Sequence, residues 1–312
     1  MSTVCRLILY DKNGQTYFFY NCISFRAEYE IYTPYSQINA SFIAEESFTK
    51  PISEINKLYL YLNGEYIHYG LADELTLTRS GTGRILNVSS RGFTVMLGQN
   101  QPQPGINSNV TLESLITSNL SSSLILSESD TPTVNYINVK ENSNLWDAII
   151  AYSVKANGFY PYIRGNTVFI SLDNTKTIET GDNFIERGDG LNTSNMLSEV
   201  YMKDIDDEYS LHRVNSKAAE YNIERVKYYA LDYQWLSDSD VGLGGKIDYS
   251  NRKSSFSFYS YSGYNGEKLM DKLSSSDSGL DGKRISKIVI SGSRNSVITQ
   301  IWCYNDYLSQ RR

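Results

Sequence analysis

The chain has 312 residues and a mass of 35.4 kDa, enough for about two domains, or three small ones, with real cores. Hydrophobic residues at 40%, charged residues at 21% and six prolines exclude a collagen-like or disordered chain, and no apolar run is long enough to span a membrane. A net charge of -6 and a pI near 5.1 argue against a general nucleic-acid coat, while three Cys and two His exclude a disulfide scaffold and leave little for a Cys/His metal site.

In chain order, Val4 to Tyr10 and Thr16 to Tyr20 are strand-like runs around Asp11-Lys12-Asn13-Gly14, a strong hairpin signal. Strand character continues over 21–33 and 38–44. Leu58 to Leu62 meets Tyr66 to Tyr69 across Asn63-Gly64-Glu65, a second tight hairpin. Leu71 to Thr78 alternates as a strand, Ser80-Gly81-Thr82-Gly83 is a turn, and Arg84 to Ser89 pairs back. Arg91-Gly92-Phe93 opens a closing segment that runs to about Leu97. Residues 1–98 thus read as all-β with short, regularly spaced strands, in the manner of a barrel or sandwich. Pro102, Pro104 and Gly105 mark the first boundary.

Residues 106–190 read as a small α+β unit. Leu112, Leu115 and Ile116 fall on one face of a short helix over 111–118, and 136–139 is a strand. Asn144 caps a clear helix with Asp147 three residues on. Leu145, Ile149, Tyr152 and Ala156 keep helical spacing, and Asn157-Gly158 closes it. Phe159 to Ile163 and Thr167 to Leu172 flank a third hairpin at Arg164-Gly165-Asn166. Residues 191–312 are β-rich again, with strands expected at 197–203, 224–235, 256–261, 285–291 and 296–304. A short helical piece is expected around Leu269 and Leu273, and long loops at 241–245 and 274–282. Net charge by segment is -1 for 1–105 (8 basic, 9 acidic), -5 for 106–190 (5 and 10) and zero for 191–312 (16 and 16).

No catalytic constellation emerges, and no enzyme is expected. His68 and His212 lack partners at ligand spacing, so no metal site and no cofactor are expected. The acidic run at Asp204, Asp206, Asp207 and Glu208 lacks the glycine and distal Glu of a calcium loop. Ser47 and Lys50 match Ser-x-x-Lys without a companion motif. Arg187-Gly188-Asp189, followed by Gly190, reads as a turn. Buried free thiols are expected for Cys5, Cys22 and Cys303, with Cys5 and Cys22 able to face each other. No basic-then-apolar leader opens the chain, so no Sec-type signal peptide is expected. The 26 tyrosines are best explained as strand-lining residues.

Two stretches resemble one family. One runs from Ala40-Ser41-Phe42 through Leu58 to Glu65 and Gly70 to Ile85–Gly92 and Leu97. The other runs from Asn144-Leu145-Trp146-Asp147 through Asn157-Gly158 to the hairpin at 159–172. Their order and spacing resemble contractile-tail baseplate hub proteins of the phage Mu, PBSX and late control D type. The resemblance covers 38–172 well and is thin over 200–312. It implies a mainly β fold with two related β-barrel tube domains, 1–105 and 191–312, flanking the α+β unit at 106–190. It implies a homotrimeric ring that adapts a hexameric tail tube to a trimeric central spike, with wedge and tape-measure proteins as further partners. Neither sequence-specific nucleic-acid binding nor membrane insertion is implied. Such a protein is made in the bacterial cytoplasm and incorporated into a phage tail or tailocin baseplate. The residues expected to matter structurally are Trp146 as a core anchor, Asn144 and Gly158 as helix caps, Gly64 as a turn residue and Arg91 at a strand end. The alternative is a glycan-binding β-rich module of a surface or tail protein, with Tyr and Asn-rich loops meeting sugars. The missing leader weighs against a secreted form of it.

Overall fold

A computed structural model describes residues 4–305 apart from positions 82, 122, 182 and 295. Thr82, within the turn expected at 80–83, lies outside the described residues. The first third comprises β1 (Cys5–Asp11), β2 (Thr16–Phe19), β3 (Cys22–Glu30), β4 (Gln37–Ile43), β5 (Ile55–Leu62), β6 (Glu65–Ser80), β7 (Gly83–Gly92) and the helix α1 (Val95–Gln99). The middle holds β8 (Gly105–Val110), α2 (Leu112–Thr117), β9 (Leu126–Ser127), β10 (Val134–Val139), α3 (Leu145–Asn157), β11 (Tyr162–Arg164), β12 (Thr167–Phe169), β13 (Thr177–Glu179) and β14 (Glu186–Leu191). The last third holds β15 (Glu199–Met202), β16 (Leu211–Val214), α4 (Ser216–Glu220), β17 (Val226–Tyr229), α5 (Ser239–Asn251), β18 (Ser255–Ser262), β19 (Lys272–Ser274), β20 (Lys287–Ser293) and β21 (Val297–Tyr304).

Period-two patterning builds the strands. In β5, Leu58, Leu60 and Leu62 are buried while Tyr59 and Tyr61 face outward. The turn into β6 places Asn63 (φ 52°) and Gly64 (φ 85°) both in the left-handed region. That backbone matches the right-handed twist of the flanking strands, which is why Asn-Gly suits a two-residue hairpin.

Eleven strands form one sheet in the order β14-β18-β21-β20-β3-β4-β7-β6-β5-β1-β2. The two β-barrel tube domains expected at 1–105 and 191–312 both contribute strands to this one sheet. Ladder hydrogen bonding runs on from β3 to β20, from Lys287 opposite Glu30 to Ser293 opposite Ser24, so the two strand sets merge. Among the described residues no ladder closes this sheet on itself, and the end strands β2 and β14 each pair on one side only. One core lies beneath both sets and joins Leu7, Phe42 and Leu86 to Ile288, Ile301 and Cys303. The N-terminal strands nevertheless curl strongly. The free, buried thiols of Cys5 on β1 and Cys22 on β3 belong to one core although β4, β7, β6 and β5 lie between them in the sheet.

The middle residues have their own core, in which Leu97, Leu112, Ile137, Trp146, Ile149, Tyr152 and Val168 pack together. Strand β14, read from sequence with this unit, pairs instead with β18 in the large sheet. Residues 191–312 also divide. Strands β18, β20 and β21 enter the large sheet, while Leu197, Val200 and Met202 pack on Leu243 and Ile247 of α5 in a small third core.

Helix α5 replaces the loop expected at 241–245. Three glycines lower its helix propensity and hid it from pattern reading. Gly242 is there because α5 lies against Trp235, where a Cβ would come within 3.0 Å of the indole. The strand expected at 224–235 is confined to β17 and is followed by a 3-10 turn at Tyr233–Trp235. The helical piece expected near Leu269 and Leu273 is likewise a loop leading into β19, whose partner is β13.

Candidate assembly surfaces

An edge strand leaves a row of N–H and C=O groups unpaired, ready to join another strand. At the β2 edge this row is bordered by exposed apolar side chains. Phe18 is 51% exposed and stacks on Tyr20, which is equally open to solvent. The two rings line a groove of about 260 Å³ with Ile43 of β4, and Ile43 stands opposite exposed Ile85 of β7. Phe48 closes the inner wall, edge-on to Phe19.

The opposite edge is β14, with Phe184, Ile185 and Leu191 exposed around it and Ile185 at 58%. Arg187-Gly188-Asp189 lies within this strand, which corrects the turn expected there. Its glycines follow from packing: at Gly190 a Cβ would come within 2.2 Å of the Phe256 ring, which folds over the edge strand. Arg187 pairs with Asp277 at 3.1 Å, and Ser257 donates to Asp189. Both charged groups of the tripeptide are therefore engaged within the chain.

A third surface accounts for part of the tyrosine surplus. On the outer face of β1, β5 and β6, Tyr59 stacks on Tyr69 at 3.9 Å and also contacts Tyr10, Tyr61 and Tyr66. Arg6 lies over Tyr61 and Lys57 over Tyr10, so the charges flank the rings and leave the aromatic centre uncharged.

The residues singled out from sequence do not converge on one site. Trp146, Asn144 and Gly158 share α3. Asn144 Oδ1 accepts the Asp147 N–H at 2.9 Å, Asp147 Oδ2 accepts the Asn144 N–H at 3.0 Å, and Gly158 ends the helix with φ 76°. Trp146 is 5% exposed in the middle core. Gly64 sits in the β5–β6 turn, and Arg91 lies near the end of β7.

Arg91 has a partner that sequence reading missed. Between Ala72 and Glu74 the β6–β7 register slips by one residue, so Asp73 is the extra residue of a bulge. The Asp73 carboxylate accepts from the Arg91 backbone N–H at 2.8 Å and from its guanidinium twice, at 2.9 Å each. Arg91 thereby pins the bend of the long strand β6. The break in alternation at Ala72-Asp73-Glu74 was the only available signal. Arg91→Ala should cost about 1 kcal/mol, because the pair is partly exposed. Asp73→Ala should cost more, since it also strips the Arg91 N–H of its acceptor. Equal thermal melts for Asp73→Ala and the parent would show that the bulge needs no such pin.

Other motif residues also hold structure. Lys50 of the Ser-x-x-Lys match pairs with Asp11 at 3.0 Å and Glu54 at 2.6 Å. Asp204 accepts from the Asp206 and Glu208 N–H groups and so shapes the acidic loop. His212 pairs with Glu199 at 2.9 Å and stacks on Tyr201. His68 is buried between Ser36 and Ser90, at 2.8 and 2.9 Å from their hydroxyls.

No family model matches the sequence, and no curated protein matches it either. Solved structures do match the fold. A tail protein from Neisseria meningitidis MC58 aligns with a TM-score of 0.70 at 12% identity, covering 98% of this chain and 97% of that one. The 43 kDa tail protein of prophage MuSo2 from Shewanella oneidensis aligns with a TM-score of 0.71 at 14% identity, covering 97% and 98%. A chain of the Francisella PdpA–VgrG complex in its lidded form aligns with a TM-score of 0.58 at 10% identity, covering 100% of this chain and 54% of that one. This chain shares its mainly β fold, nearly end to end, with phage tail proteins.

Proposed function

We propose that the chain is a structural subunit of a contractile-tail baseplate hub, without enzymatic activity. Three copies form a ring that adapts the hexameric tail tube to the trimeric central spike, with wedge and tape-measure proteins as neighbours. Residues 1–105 and 191–312 supply the tube-like strands, and 106–190 stands between them. The protein is made in the bacterial cytoplasm and built into the baseplate of a phage, tailocin or injection system. The observation that carries this reading is the pair of unpaired, apolar-bordered edges at opposite ends of one sheet, β2 and β14. Two different edges favour head-to-tail contact, and a head-to-tail contact whose rotation closes gives a ring. The likeness to tail proteins along the whole chain supports the same reading.

Mass measurement in solution tests it. A trimer is expected, and Phe18→Asp at one edge or Ile185→Asp at the other should each give monomers, by placing a charge in an apolar contact. Mixing the two variants should leave one intact contact and yield dimers. The parent trimer should survive about 1 M salt, where screening acts within about 3 Å, because apolar groups rather than ion pairs hold the contact. A parent that stays monomeric at high concentration, or a trimer indifferent to both substitutions, would overturn the arrangement. A monomer that binds oligosaccharides would favour the glycan-binding module instead.

A further inference from the structure

On the tyrosine-rich outer face, the register of β1 on β5 lays down three cross-strand rows. Arg6 stands opposite Tyr61, Ile8 opposite Tyr59, and Tyr10 opposite Lys57. Strand β6 extends the first two rows with Tyr66, opposite Tyr61, and Tyr69, opposite Tyr59. Tyr66 is 43% exposed and the other four rings are half-buried, so a partner can still reach them.

The two cations of this face lack a counter-ion. The Arg6 guanidinium carbon lies 4.7 Å from the centre of the Tyr61 ring, and Lys57 Nζ lies 5.4 Å from the centre of the Tyr10 ring. Among the described residues neither side chain forms an ion pair or a hydrogen bond. None of the residues in the three rows is acidic, although the chain carries a net charge of -6. Each cation sits over its cross-strand neighbour, so the two charges mark opposite ends of the face. Tyr10 is four residues along β1 from Arg6, which at about 3.4 Å per residue sets the charges about 14 Å apart. Ile8 and Tyr59 lie midway and are uncharged.

We propose that this face docks an extended acidic segment of a partner protein, with two carboxylates four residues apart and an apolar residue midway. An extended chain has the same rise per residue, and its side chains at i, i+2 and i+4 point to one side. The carboxylates then reach Arg6 and Lys57, and the middle residue packs on Tyr59 and Tyr69. A contact centre of tyrosines with charges at its margin is the common anatomy of a protein interface. A nucleic acid places a charge every few ångströms and would need a row of cations, where this face has two. The inference does not rest on the ring reading, whose contacts are the β2 and β14 edges, so either can fail alone.

Calorimetry on the full chain decides it. The probe is the blocked peptide acetyl-Glu-Ser-Phe-Ser-Glu-amide. One control replaces both Glu by Gln. The other, acetyl-Ser-Glu-Phe-Glu-Ser-amide, keeps the composition and charge but halves the spacing. The probe should bind with a Kd of about 1 mM or below, and each control should be about fivefold weaker or worse, as expected when exposed ion pairs are lost. Salt at about 0.5 M should weaken the probe by a similar factor, because exposed charges are screened. Arg6→Met with Lys57→Met keeps an apolar stem over each ring and removes both charges. That double variant should melt as the parent does and bind the probe about fivefold more weakly. The docking face is refuted if the probe does not bind at about 5 mM, if the respaced peptide binds alike, or if the double variant binds as the parent does. Tighter binding of a twelve-nucleotide oligo-dT would make the partner a nucleic acid, and loss of self-association in the double variant would make it a second copy. Either result overturns the assignment.

Discussion

Trp146→Ala is expected to unfold the middle unit and leave the large sheet folded, at a cost of about 3–5 kcal/mol. The indole is 5% exposed and packs in a core distinct from the one beneath the eleven-stranded sheet. Truncation removes the ring's transfer free energy and opens a cavity that the surroundings fill only in part. The neighbours Leu145, Ile149 and Tyr152 are themselves fully buried on α3, so the helix cannot slide to close the gap without losing its own contacts. Losing the Asn144 cap should cost only about 1 kcal/mol, which sets the scale of a local end effect. Calorimetry should therefore resolve an early transition for Trp146→Ala that the parent and Asn144→Ala lack. A variant that melts like the parent yet fails to assemble would move Trp146 from the core to an interface.

What could be read from sequence followed from how local the signal was. The hairpin at Asn63-Gly64 and the helix between Asn144 and Gly158 are specified by residues within four positions of one another, and both stand as read. The joining of the two strand sets into one sheet could not be read, because β3 meets β20 across 261 residues at Val289 opposite Glu28, a choice that no local pattern encodes. Helix α5 was hidden by Gly242, Gly244 and Gly245, and the first of these is set by the position of Trp235 rather than by propensity. The β14 edge was hidden in the same way, since Gly188 and Gly190 read as turn residues until Phe256 and Phe258 are seen folding over them. Lys140, Gln234 and Lys246, which line one cleft between α3 and α5, carry no spacing signal because they come from separate elements. Tyrosine, by contrast, announced itself through number, and the packed rings around Tyr59 show where part of the excess is used.

Acidification should destabilise the sheet through His68 before most carboxylates titrate. The ring is 1% exposed and lies between Ser36 Oγ and Ser90 Oγ. Gly70 beside it is essential to the fit, since a Cβ there would come within 2.7 Å of His68 Nε2 and 2.1 Å of the Arg91 carbonyl oxygen. Burial pushes the imidazole pKa down to about 3, with the Asp73 carboxylate pulling weakly the other way. Both serines can accept from a protonated ring, so the cost of charging it is desolvation rather than lost hydrogen bonds. In the unfolded chain the same group titrates near 6.5, so below that pH the unfolded state binds the extra proton. Stability is full above about pH 6.5 and falls as the pH drops toward 3, by roughly 4 kcal/mol in all. Urea unfolding of the parent and of His68→Gln across this range isolates the effect, because the carboxylates titrate in both proteins. His68→Gln should be less stable at pH 7, and its deficit should shrink by up to about 1.4 kcal/mol per pH unit below pH 6. Parallel pH profiles for the two proteins would place the acid sensitivity elsewhere.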